Sequence, residues 1–376
     1  MKITAQPVQT RKTAQKPRPG SKRSKPPGAT PLALRTIATA LRERGQATES
    51  GRREPDYRRL PAKLCRRYKG ASLEDVYDAR VEQTEYGTCL RLVDCLPFQL
   101  DLIHPTSVEE AVLSELRLVH GIGPVTAALL RDQGVGRITD LLGHHRFGES
   151  AASLARCWEE RDLIALHDLI RHRLAGAGHR LGVLLGSLVP TERLVLVDLE
   201  TLGLWGAPVF LFGFAYLSAG KYLEIHQYLA RAGDEEPGAL FLALERLHQC
   251  EAIVTYNGRT ADMPWMRQRS AYFHIGAVPD RLHLDLLHPV RWRYRGPECD
   301  NSVLPDCRLP TVEASVLGIE RDMDDVPSED VPYFYREYER RRNIGPLVPI
   351  IDHNRADLVA VARLLALLTQ DVTHTW

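Results

Sequence analysis

Lysine is scarce in this chain: 8 residues against 41 arginines. Beyond Lys69 the only lysine is Lys221, in Ala219-Gly220-Lys221-Tyr222, with no glycine-rich lead-in and no Ser or Thr after it. A phosphate-cradling P-loop cannot be built there, so no nucleotide cofactor is expected. Schemes that set a lysine beside an acidic metal site have almost no candidates either. The arginine excess itself carries no function. Cysteine is also thin. Seven are present, an odd number, with no CxxC pair. That excludes a disulfide framework and points to a reducing, cytoplasmic compartment. The N-terminus lacks an apolar h-region, so no secretory signal is expected. One run of 20 residues, Thr201–Gly220, lacks charge and has the length of a membrane span. It holds Pro208 and four glycines and follows Asp198-Leu199-Glu200. Two strands joined by a turn explain it better, and no membrane contact is expected.

What is present belongs to a globular protein of two or three domains: 376 residues, 44% hydrophobic and 26% charged. The formal net charge of +1 hides an asymmetry. Residues 1–55 carry 13 Lys+Arg against 3 Asp+Glu, so a basic arm precedes an acidic body. Residues 1–30 contain eight basic and no acidic residues. They hold too little apolar surface to offset ordering entropy, which predicts disorder. Such an arm either holds nucleic-acid phosphates or is a solvated tail.

Residues 56–106 read as a small β-rich unit, with alternation over Arg80–Leu102 and a Tyr86-Gly87 turn. Residues 107–189 read as helical, from Leu, Ala and Val at spacings of three and four. From residue 190 to 376 the pattern changes. Strands are expected at Arg193–Leu199, Pro208–Leu217 and Tyr222–Tyr228, a helix at Glu236–Gln249 and a strand at Ala252–Tyr256. A helix from Asp262, a strand within Arg281–Leu287 and a last helix at Asp352–Thr369 follow. The fold class is α/β, a mixed sheet flanked by helices.

Val195–Val197 is an apolar strand that runs into Asp198 and Glu200. Residues i and i+2 of a strand share a face, so the two carboxylates project side by side. They call for hard cations such as Mg²⁺ or Mn²⁺, unless they are solvated at a strand end. Asp262 follows the Asn257-Gly258 break and could equally be a helix N-cap. His353 and Asp357 are four apart on the last helix and share a face, as a surface pair or a site. Asp285 and His288 read as core or supporting groups, Cys299 and Cys307 as surface loop cysteines, and Glu313 as a helix-start residue with a site role left open.

Taken in order, these acids resemble the DEDD exonucleases of the ribonuclease-H-like superfamily, and more finely the YprB-type domain. The resemblance covers roughly residues 190–370. It rests on Val197–Thr201, Tyr256–Pro264, His283–Pro289, Cys307–Glu313, Val316–Glu320 and His353–Asp357. It implies a ribonuclease-H-like sheet, with Asp198, Glu200, Asp262 and Asp357 as ligands of two Mg²⁺ or Mn²⁺ ions and His353 as base. His353 precedes the last Asp by four residues, where the His-type subgroup uses five and the Tyr-type four. Ala261 stands where such motifs often carry an aromatic residue.

Upstream, Leu116–Leu130 contains Gly121-Ile122-Gly123-Pro124 and resembles a helix-hairpin-helix motif, whose turn offers N–H groups to a phosphate. Val125 stands where a basic residue often assists. The alternative is a structural hairpin that packs against a partner. Nucleic-acid contacts are therefore expected at Gly121, Gly123 and Asn257. The combined expectation is a metal-dependent 3′–5′ exonuclease acting on DNA or RNA. A non-catalytic nucleic-acid-binding module and an endonucleolytic processing ribonuclease stand as alternatives.

Overall fold

The computed structural model describes residues 60–174, 179–203, 206–218, 220–295, 304–321 and 326–370. The basic arm expected over residues 1–55 lies outside them. Helix α1 (Leu60–Arg67) leads into a hairpin of β1 (Asp78–Thr84) and β2 (Gly87–Pro97). Helices α2 (Pro105–Leu113), α3 (Pro124–Asp132), α4 (Gly148–Glu159), α5 (Leu163–Arg173) and α6 (Arg180–Leu184) follow. Then come β3 (Leu194–Thr201), β4 (Val209–Ser218), β5 (Tyr222–Leu229), α7 (Glu236–Gln249), β6 (Ala252–Thr255), α8 (Asp262–Phe273) and β7 (Leu282–Asp285). The chain continues with α9 (Leu287–Arg295), α10 (Leu309–Val312), α11 (Val331–Arg341) and α12 (Val348–Gln370).

The seven strands among the described residues belong to one mixed sheet in the order β1-β2-β5-β4-β3-β6-β7. β4 pairs antiparallel with both β3 and β5, whereas β6 and β7 run parallel to β3. The hairpin that reads as a separate unit in the sequence extends this sheet. β2 pairs with β5 along eight positions, from Leu90↔Leu229 to Pro97↔Tyr222. The alternation of Arg80–Leu102 shows a half-buried strand pair but does not name the strand it joins. The uncharged run starts at Thr201, the last residue of β3, and contains β4.

β3 is central and buried on both faces, which is why Leu194-Val195-Leu196-Val197 is apolar without alternation. Leu194 and Leu196 face a core shared with Leu358, Val361 and Leu365 of α12 and with the helical region, including Leu116, Ile138, Leu166 and Leu184. Val195 and Val197 face Leu240, Ala243, Met263 and Met266 of α7 and α8. The helical region thus packs directly on the sheet. A third cluster joins α1, α11 and the first turn of α12 to Leu90, Leu92 and Phe210. α12 begins at Val348, ahead of the expected start; Pro349 sits in its first turn, where no N–H partner is needed. Cys307 is buried, correcting its reading as a surface cysteine: its backbone carbonyl accepts from the Tyr256 hydroxyl at 2.6 Å.

Candidate active site

Three strands and one helix position the first carboxylate. Asp198, Gly213 and Gln227 lie side by side across β3, β4 and β5. Gly213 presents no side chain, so Asn354 of α12 settles onto the sheet above it, fully buried. Asn354 Nδ2 donates to Asp198 Oδ2 at 2.7 Å and to the Asp198 carbonyl at 3.1 Å. Gln227 Nε2 donates to Asn354 Oδ1 at 2.8 Å and to the Ile351 carbonyl at 2.9 Å. This chain fixes the register of α12 on the sheet, and with it Asp357, one turn beyond Asn354.

Glu200 is buried at the end of β3, where the β3–β4 register shifts. Asp262 is also buried. It opens α8, yet its Oδ1 accepts from Leu199 N of β3 at 3.2 Å, so it is tied to the central strand rather than capping its own helix. Asp285 supports it from β7. Its carboxylate accepts from Asn257 N (2.8 Å), Arg259 N (3.0 Å) and Leu287 N (3.2 Å), which shapes the turn that delivers Asp262. Asn257 takes a positive φ of 70° in that turn, is exposed, and accepts from Thr260 Oγ1 at 2.7 Å.

The four acids lie in one another's field. Burial first, then the charges of Asp357, Glu200 and Asp262, push Asp198 well above the usual carboxylate range. Asp262 is pushed up to about 7, again by burial first, with Asp285 and Asp357 adding to it. Stacking anionic groups this way destabilises the fold unless something neutralises them.

His353 is 4% exposed and its Nε2 lies 3.6 Å from Asp357 Oδ2. Its Nδ1 accepts from Arg321 Nη1 at 2.9 Å. A guanidinium can only donate, so Nδ1 is unprotonated and its lone pair is occupied. Arg321 also donates to Asp357 and, through two nitrogens, to Glu313, the Nη2–Oε1 bond measuring 2.9 Å. Glu313 is buried, in a single turn of π-helix at Glu313–Leu317. It opens that turn, as the helix-start reading expects, and its carboxylate also anchors Arg321. Sequence reasoning missed Arg321 and Asn354. A buried amide three residues before Asp357 was a usable signal for Asn354; a lone Arg321 after Glu320 gave none.

Four oxygen donors with no soft ligand among them suit a hard divalent cation. Among the described residues no group of three such side chains is gathered into a coordination sphere, with Asn354 on Asp198 and Arg321 on Asp357. The donor types fit a hard divalent cation, and an ion placed among them would have to displace the Asn354 and Arg321 contacts.

The sheet order, the strand-end acids and the returning helix define a ribonuclease-H-like α/β domain. Residues 195–369 match the family model RNase_H_2, described as RNase_H superfamily. No curated protein matches the chain. The match supports a nuclease-type function and a nucleic-acid substrate. Among the described residues no helix is long and apolar enough to cross a membrane.

The helix-hairpin-helix-like residues form the turn that leads into α3. Gly121 has φ +83°, and Gly123, in extended backbone, precedes Pro124 at the first position of α3. Ala127 is buried and Val125 is 75% exposed.

The raised pKa of Asp262 gives a stability prediction. A carboxyl whose folded pKa lies above its unfolded value stabilises fully below about 4, and that contribution is lost as pH rises through about 7. Buried His167 and His226, lowered to about 4, act in the opposite sense. The difference between proteins isolates the carboxyl. In EDTA, Asp262→Asn should melt above wild type, by a margin that widens from pH 4 to pH 7. A constant or shrinking margin in thermal melts would contradict the assignment.

Proposed function

We propose that the chain is a metal-dependent nuclease of the DEDD, YprB-like type, acting as a 3′–5′ exonuclease in a reducing, cytoplasmic compartment. One observation supports this reading: Asp198 of β3 is buried in the combined negative field of Glu200, Asp262 and Asp357, carried by β3, α8 and α12. A pure nucleic-acid binder gains nothing from carboxylates that repel phosphate. Two Mg²⁺ or Mn²⁺ ions held by these acids would supply the activated water and the stabilisation of the leaving oxygen. The protein's own part is positioning. Asn354 orients Asp198, Leu199 N orients Asp262, and His353 stands beside Asp357 to orient the water, or to deprotonate it once Arg321 has released its Nδ1. Asn257, exposed beside Asp285, and Gly121 and Gly123 on the helical region would contact the substrate strand, the last two through backbone N–H groups and phosphate.

The test compares linear, 3′-blocked and circular oligonucleotides of DNA and RNA. A 3′–5′ exonuclease shortens the free linear strand and leaves the blocked and circular ones intact. Cleavage of the circle would replace it with an endonuclease, and binding without cleavage would leave a binding module.

The basic arm adds retention. Deleting residues 1–30 removes eight positive charges. Affinity should fall and the slope of log K against log salt should flatten, while the rate at saturating substrate stays unchanged. An unchanged slope in salt-dependent binding assays would reduce the arm to a solvated tail.

A further inference from the structure

We infer that Arg321 is a built-in cation that holds the metal-free site together and must be exchanged from Asp357 when a divalent ion binds. The inference rests on the nuclease reading and adds a regulatory residue to it.

Arg321 is permanently charged and its side chain is only 12% exposed. Its guanidinium spans three groups of one site: Asp357, His353 and Glu313. Glu313 anchors it through two bonds, and the remaining contacts reach into the catalytic helix. The bond to Asp357 takes Oδ1, and the bond from Nη1 takes the Nδ1 lone pair of His353. Both groups that the proposed chemistry needs from α12 are thus occupied by one side chain. A cation at Asp357 and the Arg321 guanidinium compete for the same carboxylate and the same negative field.

The surroundings permit the exchange. Glu313, Arg321 and His353 line an open cavity of about 460 Å³, together with Glu320 and Asp352. A displaced guanidinium therefore has space in that cavity, where Glu320 and Asp352 stand among Arg67, Arg355 and Arg363. Arg321 in this role sets how much metal is needed, because the metal-free acids already have one positive partner. It is a positioning residue and not a catalytic one.

The experiment is calorimetric titration of Mn²⁺ into metal-free full-length protein, with melting temperatures as a second readout. Arg321→Gln should lower the metal-free melting temperature and tighten Mn²⁺ binding by on the order of tenfold, as loss of a competing buried ion pair requires. Arg321→Lys, which keeps the charge, should bind Mn²⁺ within a few-fold of wild type. Because Arg321→Gln also unmasks Glu313, the double variant Glu313→Gln/Arg321→Gln restores the net charge of wild type. It should still bind Mn²⁺ more tightly than wild type, since Asp357 no longer has to release Arg321. It also avoids leaving Glu313 buried without its partner, should the single variant fold poorly. Equal or weaker Mn²⁺ binding by the double variant would overturn the proposal and make Arg321 a structural strut. If wild type itself binds no Mn²⁺, the nuclease reading fails first. If wild type binds and Asp198→Asn does not, only the role of Arg321 is at stake.

Discussion

Asp198→Asn should cut nuclease activity by at least about a hundredfold while raising the melting temperature of the metal-free protein at neutral pH. The two effects have one cause. Asp198 sits in the field of Asp357, Glu200 and Asp262, and burial together with that field pushes its pKa well up. Folding at neutral pH must therefore protonate this carboxyl or bear the repulsion, whereas asparagine carries no charge in either state. The substitution keeps the shape, and its Oδ1 can still accept from Asn354 Nδ2, so the α12 contact survives. The ability to neutralise a divalent ion does not. Oligonucleotide cleavage and thermal melts in EDTA read the two halves separately. A variant that loses activity and stability together would indicate misfolding instead.

A methyl group at position 213 should be nearly as damaging for a different reason. A Cβ on Gly213 would lie 2.1 Å from Asn354 Oδ1 and 2.8 Å from its Cγ and Nδ2. Asn354 is fully buried and held by Gln227 and Asp198, so it cannot retreat without leaving both. Overpacking of this kind destabilises by about 1–3 kcal/mol. Here it also tilts or slides α12, and with it His353 and Asp357, so Gly213→Ala should lose at least about tenfold in rate. The double variant Gly213→Ala/Asn354→Ala removes the clash and should recover stability in denaturant melts without recovering rate. Recovery of rate as well would mean that Asn354 has no part in holding Asp198.

Much of this site was legible in the sequence, because an apolar strand that ends in Asp198-Leu199-Glu200 says both where the sheet is and where its charges emerge. The order of strands and helices after residue 190 followed from periodicity alone: β3, β4, β5 and α7 fall within a residue or two of their expected bounds. The edges of the domain were not legible. Nothing in Gly87–Pro97 announces that its partner is β5, more than 120 residues later, since register across a sheet is set by tertiary packing. The supporting groups were hidden for the same reason. Asn354 matters because Gly213 is absent of side chain across the sheet, and Arg321 matters because a π-helical turn brings Glu313 beside it. Both are relations between distant residues. For His353, the four-residue interval puts it on the helix face of Asp357, 3.6 Å away, but the occupation of its Nδ1 by Arg321 has no trace in local sequence.

The central claim, that the four carboxylates bind divalent ions for phosphodiester hydrolysis, has one direct measurement. A 5′-end-labelled oligonucleotide is incubated with the purified full chain in Mg²⁺, in Mn²⁺ and in EDTA, beside Asp198→Asn under the same conditions. The account predicts a ladder of products shortened stepwise from the 3′ end in either metal, with none in EDTA and none from the variant. An uncut strand in both metals, or equal cleavage in EDTA or by Asp198→Asn, would contradict it.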